Sequence, residues 1–211
     1  MDSDPMSLPP LNALPADDAH LREVCAQSRE AYRGHFLQVR QDDVLLPDGN
    51  TANREYIVHP GAVMVVPLLD DGRLVMERQY RYPMHRAYLE FPAGKLEAGE
   101  PGIVCGVREL FEETGFRAAE WACAGELHNA IAYSSERIEV WFARGLVAGE
   151  RQLDAGEFLD VFAATEAELA DWIADGRVTD AKTMVGLLWL QQWRAGRWAL
   201  TWKPADAWAH D

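Results

Sequence analysis

The chain has 211 residues, of which 48% are hydrophobic and 26% are charged. This composition is that of a globular protein and excludes a fibrous chain or one that is disordered throughout. Asp and Glu total 34 against 20 Lys and Arg, which gives a formal net charge of −14, and such a polyanion is poorly suited to bind nucleic acid.

The three cysteines are scattered along the chain and fit neither a disulfide framework nor a zinc ribbon. No apolar run approaches the roughly 18 residues that span a bilayer, and the first residues are acidic and proline-containing, unlike a secretory signal. We therefore expect a cytoplasmic protein that contacts neither membrane nor nucleic acid. To bind a phosphate compound, it would need a few local basic side chains or metal ions held by its own carboxylates.

The N-terminal quarter divides into two predicted segments. Residues 1–35 are expected to form a loose arm with a possible short helix, because residues 20–33 are rich in helix formers but have no regular apolar stripe. Residues 36–60 are expected to form a small β subdomain. Its two strand-like segments flank a Pro-Asp-Gly-Asn sequence at 47–50, which is a strong turn signal.

Residues 61–200 are predicted to form the main domain, and residues 201–211 a tail. The main domain begins with a buried strand from Ala62, a hairpin turn at 70–72 and a return strand. Further elements are a helix over 101–115, strands at 121–128, 138–143 and 158–163, and helices over 169–174 and 182–192 capped by Thr165 or Thr179. Runs of strands followed by isolated helices indicate an α+β fold.

The first of these helices has an acidic side. Glu109, Glu112 and Glu113 are spaced by three and four residues, which places them on one face. Like charges at these spacings cost roughly 0.2–0.5 kcal/mol per pair, and acids in the last turn oppose the helix dipole. A solvated acidic face is one interpretation. Convergent carboxylates without a stabilising role also suit a hard divalent cation such as Mg²⁺.

The loop before this helix completes a motif. Gly94 is followed by five residues and Glu100, then by seven residues and the string Arg108-Glu109-Leu110-Phe111-Glu112-Glu113-Thr114-Gly115-Phe116. This segment resembles the Nudix box at every defined position. Nine spaced positions across 23 residues make the match far more specific than a lone glycine motif.

The resemblance implies the α/β/α Nudix sandwich with a mixed sheet, and hydrolysis of a nucleoside diphosphate linked to another group. It also implies a divalent cofactor, Mg²⁺ with Mn²⁺ as an alternative. Carried over by position, Glu109 and Glu113 would be the main metal ligands, and Glu112 a ligand or near-ligand with a catalytic role. The backbone carbonyl of Ala93 would add an oxygen. Arg108 would orient the acids, while Glu100 would brace the loop against the helix.

Other stretches resemble the ADP-ribose pyrophosphatase branch of this family over roughly residues 36–193. They are Leu46-Pro-Asp-Gly49, Arg54-Glu55, His59-Pro-Gly-Ala-Val63, Arg78-Gln-Tyr-Arg81, Glu90-Phe-Pro-Ala-Gly94 and Asp180-Ala-Lys-Thr183. The branch implies that Arg54 and Arg81 contact the phosphate and ribose side of the substrate. Glu90 would contact substrate or metal. A charge at a strand edge is the alternative role for each.

In that branch the N-terminal strands pack across, or swap into, a second subunit, so a homodimer with a composite site is expected. The implied reaction converts ADP-ribose to AMP and ribose 5-phosphate. One departure affects the substrate: Asn129 and Ala132 stand where the branch carries proline and glycine, although Glu136, a substrate-side residue, is retained. Another ADP-sugar or a GDP-sugar such as GDP-mannose is therefore the alternative substrate.

A non-catalytic binding module is a third possibility, but such modules usually lose the box acids.

The branch also activates water with an acid in a later mobile loop. The candidates here are Glu157, which fits the pattern best, and Asp154, with Gly156 between them and a buried strand expected from Phe158. An ordinary solvated loop acid is the alternative for each.

Overall fold

The structure, a computed structural model, describes residue 11 and residues 15–209. Part of the predicted N-terminal arm and the last two residues of the predicted tail lie outside the described residues. The chain divides into two compact units, the first ending at Val58 and the second beginning at His59.

The first unit is a three-stranded antiparallel sheet in the order β1-β2-β3. Its strands are β1 (Val24–Arg33), β2 (Gln38–Leu45) and β3 (Thr51–Val58). The turn predicted at 47–50 is confirmed. Gly49 adopts φ +86° there, and the backbone N–H of Asn50 donates to the Asp48 carboxylate.

The prediction of a possible short helix within residues 1–35 is wrong for the described part, because residues 24–33 form β1. This strand pairs with β2 from Val24 opposite Leu45 to Arg33 opposite Gln38. Strand pairing supplies backbone partners along the whole segment and so outweighs a weak local helix propensity. All residues of β1 are exposed within the chain, so its apolar side chains are not buried by the fold of one copy.

The second unit contains seven strands and three helices within the described residues. The strands are β4 (Ala62–Pro67), β5 (Leu74–Arg81), β6 (Arg86–Glu90), β7 (Ala93–Lys95), β8 (Phe116–Leu127), β9 (Ile138–Ala148) and β10 (Leu159–Ala164). The helices are α1 (Gly102–Thr114), α2 (Glu166–Ala174) and α3 (Ala181–Arg194). One sheet has the order β7-β4-β9-β8 with β4 parallel to β9, and the other has the antiparallel order β10-β5-β6.

The central strand β4 separates two apolar cores because successive side chains of a strand point to opposite faces. Val63 and Val65 belong to a core that includes Leu110 of α1. Met64 and Val66 belong to the other core, which includes side chains of α2 and α3. The mixed sheet therefore lies between helices, and the expected α+β fold with an α/β/α arrangement is confirmed.

Two local predictions need correction. Thr165 caps α2 with a reciprocal bond pair to Glu168 as predicted, but Asp180, not Thr179, caps α3 by accepting from the N–H of Thr183. Phe158 does not begin a buried strand: it is 82% exposed, and β10 starts one residue later. No helix within the described residues is long and apolar enough to cross a bilayer.

The predicted tail is part of the fold as far as it is described. Lys203 and Trp121 exchange backbone hydrogen bonds. The indole of Trp208 packs edge-on against Trp141 and donates to the Trp121 carbonyl at 3.0 Å. The burial of an aromatic side chain fixes this segment, although its sequence has no strand or helix periodicity.

Candidate active site

Helix α1 presents the acids of the motif to two different environments. It ends at Gly115, whose φ of +77° and N–H bond to the Phe111 carbonyl form a left-handed cap. Glu109 and Glu112 are partly exposed, but Glu113 is 2% exposed. The expected single acidic face is therefore divided, and Glu113 lies inside the protein.

Arg108 connects the acids of α1 to the preceding loop. Its guanidinium donates to Glu100 at 3.1 Å, to Glu109 at 2.7 Å and to Glu112 at 3.1 Å. It also donates to the Lys95 carbonyl at 3.3 Å. The bond from Arg108 is the main reason that the pKa of Glu100 lies below its ordinary value. Arg108 therefore links Glu100 of the loop to Glu109 and Glu112 of the helix.

The glycine of the motif is required by a close approach to Glu109. A Cβ at Gly94 would lie 1.8 Å from the Glu109 carboxyl carbon, so a larger residue would displace this side chain. The neighbouring Ala93 N–H donates to Glu113 Oε2 at 3.1 Å. Strand β7 and helix α1 thus bring Ala93, Glu109 and Glu113 into one region of the fold.

The acids in this region are crowded and poorly solvated. Burial is the main cause of the raised pKa of Glu113, and the negative charges of Glu77, Glu109 and Glu157 raise it further. Burial also raises the pKa of Glu109 against the opposing charge of Arg108. Carboxylates from α1, β5 and the loop before β10 therefore share one region of negative potential, which a divalent cation would neutralise.

Besides the predicted Arg81, strand β5 carries Glu77 and Gln79, for which no role was predicted. Glu77, Gln79 and Arg81 alternate and so lie on one face of the strand. Gln79 donates to Glu157 Oε1 at 3.1 Å, which ties the loop acid to the sheet. The side chain of Glu77 is completely buried, and burial, followed by the charge of Glu90, raises its pKa to about 8.

The predicted substrate residues Arg81 and Glu90 are bonded to each other. Arg81 donates to both carboxylate oxygens of Glu90, at 2.8 and 2.9 Å. Lys182, at the start of α3, donates to the same carboxylate and lies 3.0 Å from Asp180. Burial opposes ionisation of Glu90, but the Arg81 bond and the charges of Lys182 and Arg81 hold its pKa below the ordinary value.

These basic side chains line a cleft of about 290 Å³ between β5, β6 and the start of α3. Its lining residues are Arg81, Met84, Tyr88, Glu90, Thr179, Asp180, Ala181 and Lys182. A guanidinium and an ammonium at one cleft can bind a phosphate group of a ligand. Lys182 lies in the stretch Asp180-Ala-Lys-Thr183 that resembles the branch, but no role was predicted for it.

Three predicted residues lie in other local environments. Glu136 precedes β9, and its carboxylate lies 3.6 Å from Nε2 of His59; within the described residues it forms no salt bridge to α1. Arg54 belongs to the first unit and pairs with Glu23 at 2.5 Å. Asp154 forms a turn in which its carbonyl accepts from the Glu157 N–H, while Glu157 itself reaches Gln79.

The donor set fits a hard divalent cation. The available atoms are carboxylate and carbonyl oxygens, which Mg²⁺ and Mn²⁺ prefer, and the carboxylate of Glu113 is buried. No three His, Cys, Asp or Glu side chains among the described residues are already arranged around a common metal position. Arg108 forms salt bridges with both Glu109 and Glu112.

Comparison with known proteins defines the family. Residues 58–184 match the NUDIX domain, and residues 25–57 match the nucleoside diphosphate sugar hydrolase N-terminal domain. The two matches meet at the boundary between the two structural units. The chain belongs to the Nudix family of hydrolases.

The chain is similar to three known proteins over most of the length of each. The chain is 35% identical over 171 residues to the methanol dehydrogenase activator of Bacillus methanolicus, covering 80% of this chain and 92% of that protein. It is 34% identical over 173 residues to the ADP-ribose pyrophosphatase of Bacillus subtilis (strain 168), covering 81% and 94%. A crystal structure of an ADP compounds hydrolase superposes with a TM-score of 0.76 at 25% identity, covering 84% and 97%.

Proposed function

We propose that the protein is a divalent-cation-dependent hydrolase that cleaves the diphosphate of ADP-ribose to AMP and ribose 5-phosphate. The observation that carries this proposal is that the loop acid Glu157 lies close enough to the acids of α1 for its charge to raise the pKa of Glu109 and Glu113. A cleft lined by Arg81 and Lys182 offers basic side chains for the phosphate groups. An acid cluster suited to a divalent cation and a cleft suited to phosphate would together meet two requirements of diphosphate hydrolysis. The similarity to an ADP-ribose pyrophosphatase supports this substrate.

The cation, Mg²⁺ with Mn²⁺ as an alternative, would be held by carboxylates of Glu109, Glu113 and Glu112 and by the carbonyl of Ala93. When bound, such an ion neutralises the diphosphate and lowers the pKa of a coordinated water. Arg108 would keep Glu109 and Glu112 oriented until the ion arrives. The Glu113 carboxylate is held in place by the Ala93 N–H and so needs little rearrangement.

Side chains of the protein would take up the proton of the water and stabilise the charge on the phosphate groups. Glu157, held by Gln79, would accept the proton of the attacking water. As the new oxygen–phosphorus bond forms, the bond from that phosphorus to the bridging oxygen breaks, and the second phosphate leaves with the electron pair. Arg81 and Lys182 would stabilise the charge on the phosphate oxygens.

Another nucleotide sugar is the second candidate, because Asn129 and Ala132 replace the proline and glycine expected of the ADP-ribose branch. A panel of ADP-ribose, ADP-glucose and GDP-mannose with Mg²⁺, read out as free AMP or GMP, tests both. We expect the highest kcat/KM for ADP-ribose. A higher value for GDP-mannose would support the alternative, and no release from any of them would favour a non-catalytic binding module. Glu113→Gln protein prepared identically controls for contaminating hydrolases.

We also propose that the protein is a homodimer and acts in the cytoplasm on free nucleotide sugars. The exposed strand β1 and the apolar side chains Val24 and Leu45, which face each other in register, support dimerisation through the first unit. A three-stranded sheet with one uncovered apolar patch gains stability by pairing with a second copy.

A further inference from the structure

A buried carboxylate on β5 has no partner in the site described above. Glu77 is completely buried, and neither of its carboxylate oxygens accepts a hydrogen bond from any described residue. Burying an unpaired carboxylate costs several kcal/mol or forces the group to take up a proton. A side chain with this cost and no structural bond requires an explanation other than packing.

The position of Glu77 on the sheet increases the cost. It lies directly opposite Glu90 in the antiparallel pair of β5 and β6, and like charges facing each other across a sheet are destabilising. The two basic side chains nearby, Arg81 and Lys182, both donate to Glu90. Among the described residues, no hydrogen-bond donor is bonded to the Glu77 carboxylate.

The strand geometry points Glu77 toward the acids that the motif assigns to the metal. It shares one face of β5 with Gln79, which contacts Glu157, and with Arg81, which contacts Glu90. Glu113, whose carboxylate accepts from the N–H of Ala93 at the start of β7, is close enough to Glu77 for the charge of Glu77 to raise the pKa of Glu113. The basic side chains of this region are bonded to other acids, Arg108 to Glu109 and Glu112 and both Arg81 and Lys182 to Glu90, so the buried carboxylate of Glu77 is left without a bonded cation.

We propose that the Glu77 carboxylate binds the divalent cation together with Glu113, so that the metal site of this chain extends from helix α1 onto strand β5. The inference rests on the proposed metal-dependent function and adds a ligand outside the motif. A bound cation supplies the positive charge that Glu77 lacks in the folded chain. It also explains why a carboxylate occupies a strand position that is otherwise suited to an apolar side chain, after Leu74, Val75 and Met76.

Binding of Mn²⁺ alone, followed by the electron paramagnetic resonance signal of the free ion, tests the proposal without an activity assay. The variants are Glu77→Gln, which keeps the shape and removes the charge, and Glu77→Met, which fills the position with an apolar side chain. We expect both to bind Mn²⁺ at least about tenfold more weakly than the wild type, because even groups that only support a metal ligand contribute 10–100-fold. Glu120→Gln, which removes one negative charge from β8, should bind like the wild type.

Thermal unfolding gives the second readout. Without metal, both Glu77 variants should melt at or above the wild-type temperature, and the gain in melting temperature on adding Mn²⁺ should shrink. Wild-type Mn²⁺ affinity in both Glu77 variants, or variants that cannot fold without metal, would overturn the proposal by making Glu77 a structural group.

Glu113→Gln separates this inference from the proposed function. If the wild type binds Mn²⁺ and Glu113→Gln does not, while the Glu77 variants bind normally, only the role of Glu77 fails. If the wild type itself binds no Mn²⁺, the metal-dependent function fails and the role of Glu77 fails with it.

Discussion

Glu113 combines the burial of a core residue with the charge of a metal ligand. Its carboxylate accepts from the Ala93 N–H and is surrounded by the charges of Glu77, Glu109 and Glu157. A protein gains nothing in stability from this arrangement without a cation, which is why the side chain is better explained by function than by folding.

For Glu113→Gln we expect kcat to fall about 100-fold or more, because metal charge stabilisation is worth several kcal/mol. The amide oxygen can still accept from Ala93, so the metal-free stability should be unchanged or slightly higher. Steady-state hydrolysis over a range of Mg²⁺ concentrations, with thermal unfolding of the chelated protein, measures both. Near-normal turnover at limiting Mg²⁺ would remove this residue from the mechanism.

Glu157 and Asp154 can be distinguished by the same type of change. Glu157→Gln should lower kcat by about 10²–10⁴-fold, the usual contribution of a general base, while leaving Mn²⁺ affinity close to that of the wild type. Asp154→Asn should have little effect, because the Asp154 carbonyl forms the turn and the Glu157 side chain reaches Gln79. The opposite result would reassign the base, and two normal variants would leave Glu112 as the next candidate.

The buried acids also predict a pH dependence of stability in the absence of metal. Glu77 has a folded-state pKa of about 8, above its ordinary value of 4.5 because of burial and the charge of Glu90. A raised pKa favours folding below about pH 4.5, and this contribution is lost as the pH rises through about 8. The charges of Arg81, Lys182 and Glu157 also act on this group.

We therefore expect the unfolding free energy of chelated wild-type protein to fall by on the order of 2–4 kcal/mol between about pH 5 and pH 8.5. Glu77→Gln should reduce this slope, whereas the pair of Arg81 with Glu90 contributes nothing to it, because the pKa of Glu90 is lowered, not raised. Urea unfolding at both pH values with a chelator present is the measurement. Equal slopes for the two proteins would show that Glu77 does not titrate in this range.

At the level of elements, the loop from β7 to α1 positions the acids through a backbone approach. Gly94→Ala would place a methyl group 1.8 Å from the Glu109 carboxyl carbon. Since the obstacle is the end of a flexible side chain, Glu109 should move away and the fold should survive. We expect weaker Mn²⁺ binding and lower kcat with a melting temperature close to that of the wild type; unchanged Mn²⁺ affinity would contradict the close approach.

The box acids and Arg108 could be predicted because their spacing on one helix and the preceding loop is local in sequence. Gln79, Lys182 and Glu77 could not, because strand pairing and helix packing bring them to the site from distant positions. The sequence offered one indication of Glu77, a charged residue directly after the apolar run Leu74-Val-Met76 of β5. Strand β1 was mistaken for helix for the same reason, since its pairing with β2 cannot be read from local propensity.

At the level of the whole molecule, the first unit presents an apolar surface that a single copy leaves uncovered. Val24 of β1 is 54% exposed and lies opposite Leu45 of β2. We expect sedimentation to show a dimer at assay concentration, and Val24→Glu to shift it toward a monomer by burying a charge in the interface. Activity should fall with the dimer fraction.

Val147→Glu is the matched control for this last prediction. Val147 lies on β9 of the second unit and is 68% exposed, so the same change adds the same charge at an exposed strand position of the other unit. It should leave the sedimentation coefficient and the activity unchanged. A wild-type protein that sediments as a fully active monomer would contradict dimerisation. If both variants dissociate the dimer, the interface either lies outside the first unit or responds to any added negative charge, and the proposed role of Val24 fails.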